Sequence, residues 1–157
     1  MKSKAVLTGL LLLLVFTSFS FKCDGGPPAD NSRFRPAAKA AGDIAEGIKA
    51  MITIKRALAQ NGSLKPAEER PLTNALLKLN TADKAFLKEI NAVKNSADAS
   101  ASSSKVCLAF AALRAALSEV NSNVGPVANG DAKSKLANAL TVISNSIPAI
   151  AGVLPCS

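Results

Sequence analysis

The chain has 157 residues, of which 48% are apolar, 19% are charged and 4% are aromatic, and its formal net charge is +8. It contains no His, Trp or Tyr, which excludes a Ser-His-Asp triad, a Cys-His pair and any His-ligated metal or haem. The length suits one domain, and the apolar content is sufficient for a packed core. A basic chain favours anionic partners, but Lys and Arg are spread along all the predicted helices, so we interpret them as a solvated surface.

The beginning of the chain has the composition of a secretory signal peptide. Two lysines lie within the first four residues, residues 5–16 are uncharged and largely apolar, and Ser18 and Ser20 are small residues near the expected cleavage site. We therefore predict a signal peptide over residues 1–20. The alternative is an uncleaved anchor, because the apolar stretch at 5–21 is close to the length that spans a bilayer.

A flexible tether is predicted over residues 21–35, because residues 24–32 are rich in Gly, Pro and polar side chains. Cys23 lies at the start of this tether. A cysteine that follows an apolar segment and precedes a flexible tract resembles the start of bacterial lipoproteins. The resemblance implies lipidation of Cys23 and membrane attachment through the N-terminus. The sequence departs from that family's motif at Lys22, where lipoproteins have a small residue, and at Ser20, where they usually have Leu.

The first predicted helix covers residues 36–60. Pro36 suits a first helical turn, and Gly62 suits the position just beyond a helix C-terminus. Small residues in the first half of this helix predict a close approach by a neighbouring helix. The apolar face, at helical spacing, consists of Ile44, Ile48, Met51, Ile52 and Leu58.

A turn over residues 63–71 and a second helix over residues 72–95 are predicted next. The turn contains two prolines and the acidic pair Glu68-Glu69, and it could include a short helical turn. In the middle of the helix, Ala82 and Asp83 compete for the inward position. We expect Ala82 to face inward and Asp83 to stay in water, and the alternative is a buried carboxylate. The apolar face consists of Leu72, Leu76, Leu79, Phe86, Ile90 and Val93.

The last two helices follow a linker over residues 95–104 that is rich in Ser and Asp. The third helix is predicted over residues 104–123. The fourth is predicted to start at Asp131 as N-cap and to kink at Pro148. It keeps a polar stripe, which argues against a membrane span. The apolar faces are Val106, Phe110, Leu113, Leu117, Val120 and Val124 in the third helix, and Leu136, Leu140, Ile143, Ile147, Ile150 and Leu154 in the fourth.

These elements predict an all-α protein, in which an antiparallel up-down-up-down four-helix bundle over residues 36–157 follows a cleaved N-terminal signal segment. In such a bundle the three cysteines fall near one end. Export favours disulfides, and we predict a bond between Cys107 and Cys156 that leaves Cys23 for lipidation. If Cys23 is not acylated, it is free, or it is paired within the chain or with another chain.

The motifs of common catalytic sites are missing from the sequence, so we expect no catalytic residue, no cofactor and no metal. Nucleic acid is not an expected partner, because stacking aromatics and a basic stripe are lacking. We expect an exported, non-enzymatic protein of the cell envelope, periplasmic, cell-surface or secreted. It would act as a structural or interaction module on an unknown protein or envelope component. The alternatives are a carrier of an apolar ligand held between the helices and a secreted effector or regulator.

Overall fold

The computed structural model describes residues 31–94, 99–154 and 156, and every regular element within these ranges is helical. This confirms the all-α class and the four long helices. The predicted signal peptide, most of the predicted tether and Cys23 lie outside the described residues. A 3-10 helix, Asn31–Phe34, is followed by α1 (Arg35–Gln60), α2 (Pro66–Lys94), α3 (Ala99–Val124), α4 (Gly130–Ser144) and the short α5 (Ile147–Ala151).

Helix α1 begins and ends where its sequence predicts. Pro36 lies in the first turn, where no intrahelical bond requires its missing N–H. At the other end, Asn61 and Gly62 donate their backbone N–H groups to carbonyls of the last turn, and Gly62 has a φ of +75°. Glycine adopts this left-handed conformation without strain, so the chain can turn directly into the next helix.

Helices α2 and α3 both start earlier than predicted. Helix α2 begins at Pro66, so the helical turn that the segment over residues 63–71 could include is the first part of α2, and the helix starts six residues before the predicted residue 72. Glu68 fixes this start, because its Oε2 accepts the N–H of Lys65 at 2.9 Å. Pro71 is tolerated inside the helix at the loss of one backbone hydrogen bond near the N-terminus. Helix α3 begins at Ala99, so the Ser-rich stretch assigned to the linker forms its first turns.

The start of α4 also differs from the prediction. The N-cap is Asn129, whose Oδ1 accepts the N–H of Ala132 at 2.9 Å. The prediction of Asp131 as N-cap was wrong by two residues. Asp131 instead lies in the first turn, where a carboxylate interacts favourably with the helix dipole, and it pairs with Lys135 at 2.7 Å.

The single kinked helix predicted for the C-terminal region is two helices. Helix α4 ends at Ser144, and α5 begins at Ile147 with Pro148 in its first turn. Proline cannot donate a hydrogen bond to the carbonyl four residues earlier, and its ring collides with that carbonyl. The helix therefore stops before Pro148 and restarts with the proline at a position that tolerates it.

A single cluster of buried apolar side chains joins all of these elements in a bundle. Helix α2 packs against α1 and α3, and α1 also packs against α4 and α5. Phe34 is completely buried in this cluster, so the last residues of the segment assigned to the tether belong to the folded body. The predicted apolar faces of the four helices point into this cluster, with Ile52, Leu117 and Ile147 only partly buried.

The close approach predicted for the small residues of α1 occurs where α1 meets α4. A Cβ placed on Gly47 would lie 2.6 Å from Cγ1 of Ile143. Ala37, Ala40 and Ala41 of the same helix are also buried in the core. Helix α4 therefore packs against α1 at a point where no side chain larger than hydrogen fits without a shift.

Candidate functional residues and surfaces

Asp83 is buried, and the prediction that it stays in water was wrong. Its side chain is 1% exposed, whereas Ala82 is only partly buried. Asp83 lies four residues after Leu79 and three before Phe86, so the apolar face of α2 runs through it at regular helical spacing. A carboxylate at a core position breaks the hydrophobic pattern, which is why sequence reasoning moved it to the surface.

Burial changes the chemistry of this carboxyl group. Oδ1 of Asp83 has no hydrogen-bond partner. Among the residues that the structure describes, Asp83 is the only buried one with an ionisable acidic or basic side chain. Loss of contact with water disfavours the ionised form and raises the pKa of Asp83 from its usual 3.8 to about 6. Part of the Asp83 population is therefore neutral in weakly acidic solution.

Glu68 is the second carboxylate with a perturbed pKa, and its surroundings are the opposite of those of Asp83. Its Oε1 accepts the N–H of Ala128 at 2.8 Å, in addition to the Lys65 N–H at Oε2. These backbone hydrogen bonds, chiefly the one from Ala128, lower the pKa of Glu68. The side chain thus joins the start of α2 to the turn between α3 and α4.

A polar cluster beside Glu68 joins α1 to α2. Nζ of Lys55 lies 3.0 Å from Oε1 of Glu69 and 2.8 Å from Oγ1 of Thr73. The Lys55 side chain is 13% exposed, so this ion pair is better shielded from solvent than the others in the described chain. These contacts connect α1 to α2, so we interpret the cluster as structural.

Cys107 and Cys156 lie at disulfide distance, as predicted. Their Sγ atoms lie 2.03 Å apart and their Cα atoms 5.4 Å apart. The bond ties the first part of α3 to the segment that follows α5. Cys23, the residue predicted to be lipidated, lies outside the described residues.

Two shallow apolar grooves run along the bundle surface, and neither was identified from the sequence. The larger lies between α2 and α3, where Ala82, Ala85, Ala112 and Ala115 contribute to its walls. The other lies between α1 and α4, beside Gly47. The large apolar side chains exposed in the described chain are those of Leu77, Leu108 and Val142, at 57%, 73% and 60%. The Ala-rich run in α3 was the available signal for the larger groove.

The described residues contain no group of three or more His, Cys, Asp or Glu side chains that could hold a metal ion. Glu68 and Asp83 are 15 residues apart on one helix, or about 22 Å, so they cannot act as an acid–base pair. Taken one by one, the described helices lack the combination of length and apolarity that a membrane span requires.

Similarity to known proteins does not assign these features. No protein-family model, curated protein or solved structure matches the chain.

Proposed function

We propose that this chain is an exported, non-enzymatic protein of the cell envelope that acts as a structural or interaction module. The observation that carries this proposal is the Cys107–Cys156 pair at disulfide distance, because protein disulfides persist mainly in oxidising compartments outside the cytosol. The N-terminal sequence supports the same compartment through its basic start and apolar run. In this proposal the signal peptide is cleaved, and Cys23 is available as a lipid anchor.

The module that we propose is an antiparallel up-down-up-down four-helix bundle. Contacts between α2 and α3 support antiparallel packing, since Lys78 pairs with Glu119 while Phe86, later in α2, meets Phe110, earlier in α3. Within the described residues, α1 packs extensively against α2 and α4, α2 packs against α3, and a smaller contact joins α3 to α4. In an up-down-up-down bundle each helix lies beside the preceding one and the last helix closes the bundle against the first.

The surface, rather than the core, would carry the interaction. The solvent-facing sides of the helices in a bundle are normally polar. Single exposed apolar residues are common on such surfaces and need no explanation. Leu77 and the alanines of the α2–α3 groove, in contrast, lie together at the surface in a groove whose polar lining residues are Lys78, Thr81 and Glu119. The partner remains an unidentified protein or envelope component.

The intact mass of the protein recovered from cells that express the full chain tests this proposal. We expect the protein outside the cytosol, with a mass that corresponds to cleavage near Ser20 and to the loss of two hydrogens for one disulfide. An additional acyl mass on a chain starting at Cys23 would establish the lipid anchor. Recovery of the uncleaved chain from the cytosol with three free thiols would overturn the proposal.

A carrier of an apolar ligand is the second candidate, and the α2–α3 groove is the observation that favours it. Its lining is dominated by alanine side chains, with Lys78 and Glu119 at one end. An acyl chain could lie along such a surface. The groove is open to solvent, whereas small-molecule sites usually enclose most of the ligand, so we rank this function second.

A further inference from the structure

The core of the bundle contains an ionisable group that the proposed function does not require. We propose that Asp83 is a pH-responsive element, which allows tight helix packing when its carboxyl is protonated and drives local opening of α2 when it is ionised. The proposal concerns the stability and dynamics of the bundle and holds whichever partner the surface binds.

The position of Asp83 in the bundle supports this role. The Lys78–Glu119 ion pair and the Phe86–Phe110 ring contact lie on either side of it along the α2–α3 interface. In an antiparallel pair these contacts place Asp83 at the level of Leu113, which is completely buried. An ionised carboxylate at this level faces apolar side chains and cannot regain water unless α2 moves.

Among the side chains that the structure describes on the neighbouring helices, no charged group is placed to neutralise Asp83. Lys55 is occupied by Glu69 and Thr73, more than two helical turns away from Asp83 along α2. The 3-10 helix also contains a charged residue, Arg33, whose side chain lies outside the described part of the chain. The other charged side chains of α1, α3 and the central part of α2 are exposed or only partly buried: Arg35, Lys39, Asp43, Glu46, Lys49, Arg56, Lys78, Lys84, Lys88, Glu89, Lys105, Arg114 and Glu119.

The direction of the pH effect follows from the raised pKa of Asp83, 3.8 in its usual surroundings and about 6 in the folded chain. The folded state binds this proton more tightly than the unfolded state, so folding is favoured at acidic pH. The advantage is complete below pH 4 and is lost as the pH rises through 6. From pH 5 to pH 7.5 the equilibrium constant for unfolding should increase about tenfold. The chain has no histidine, which is the side-chain type whose ordinary pKa lies in this interval.

Denaturant unfolding at pH 5 and pH 7.5 tests the proposal on the full chain, its Asp83→Asn variant and an Asp43→Asn control that removes an exposed carboxylate from α1. We expect the tenfold change in the wild type and in Asp43→Asn, and almost none in Asp83→Asn. The buried Asn amide destabilises the fold by itself at both pH values. The comparison is therefore between the changes in the unfolding constant from pH 5 to pH 7.5, and not between the unfolding constants of the variants at one pH. Asp83→Leu provides the same test if the Asn variant does not fold.

Hydrogen exchange of the α2 amides, corrected for the intrinsic effect of pH, tests the opening itself. We expect loss of protection in α2 at pH 7.5 relative to pH 5 in the wild type but not in Asp83→Asn. A wild-type unfolding constant that is the same at both pH values would overturn the proposal, as would an unchanged pH slope in Asp83→Asn. Equal α2 protection at both pH values would overturn the local opening.

Discussion

At the scale of single residues, the contact between Gly47 and Ile143 sets how closely α1 and α4 approach. We predict that Gly47→Ala destabilises the bundle relative to Gly42→Ala, a change on the same helix, by about 1–3 kcal/mol. Both changes gain helix propensity, but the new Cβ at Gly47 would be 2.6 Å from Ile143 Cγ1. A Cβ at Gly42 would have no atom of another element within 4 Å. Thermal unfolding of the two variants makes the comparison, and equal melting temperatures would contradict it.

Glu68 links two turns through backbone hydrogen bonds, and we predict that Glu68→Ala destabilises the fold. The pKa of Glu68 is lowered in the folded chain, so its contribution to the stability of the fold is fully present above the usual carboxyl pKa. This contribution is lost as the pH falls through the lowered pKa. Urea unfolding at neutral pH measures the loss, and exchange of the Ala128 amide should become faster. Glu46→Ala is the control, because Glu46 forms only an exposed pair with Lys49, and such pairs contribute little. An equal effect of both substitutions would mean that the Ala128 contact does not stabilise the chain.

The residues that sequence reasoning placed well are those whose position follows from periodicity. Leu79, Phe86 and Leu113 are buried as their helical spacing predicts. Asp83 and Asn129 were missed for different reasons. Spacing indicates that position 83 faces inward, but the hydrophobic pattern excludes a carboxylate there. The sequence prediction named Asp131 as N-cap, but the N-cap is the residue whose side-chain oxygen reaches a free N–H, here Asn129, and that depends on backbone geometry.

At the scale of helices, the length of α4 explains how the two cysteines meet. A continuous fourth helix from Asp131 to Cys156 would extend about 13 Å beyond the level of Cys107 in α3. Helix α4 instead has 15 residues and ends at Ser144, and α5 with its following residues returns Cys156 to α3. The kink at Pro148 was predictable as an interruption. Whether the helix bends or stops there depends on tertiary packing, which local sequence does not contain.

Removal of the disulfide should weaken the C-terminal part of the bundle most. We predict that the double variant Cys107→Ser, Cys156→Ser loses about 4 kcal/mol, since the bond closes a sequence separation of 49 residues in the unfolded chain. Guanidinium unfolding measures the loss, and exchange should accelerate in α5, where Ile150 anchors the segment to the core. A reducing agent should destabilise the wild type to a similar extent and leave the double variant unchanged. Identical stability with and without the bond would show that the packing of Ile150 and Leu154 is sufficient.

At the scale of the whole molecule, the fold was predictable because four amphipathic stripes separated by turn residues leave few alternatives to a bundle. The surface was not predictable to the same degree. Which exposed alanines adjoin one another depends on how two helices are rotated about their axes, as Ala85 and Ala112 show. The sequence contains several alanines in α3, but only the packed structure brings them beside those of α2.

The same surface decides between an interaction module and a carrier, and the difference can be measured. A carrier must bury most of its ligand, whereas the α2–α3 groove is open along the bundle and an ion pair between Lys78 and Glu119 lies at one end. We therefore predict that the purified protein contains no lipid by native mass spectrometry and that fatty acids do not change its melting temperature. A ligand that binds only the folded state must raise that temperature by mass action.

The variant Ala112→Trp, whose side chain would fill the groove, tests the same prediction. It should respond to fatty acids in the same way as the wild type, with no change in melting temperature. A stoichiometric lipid that is lost in Ala112→Trp would contradict the interaction module and place the ligand in this groove.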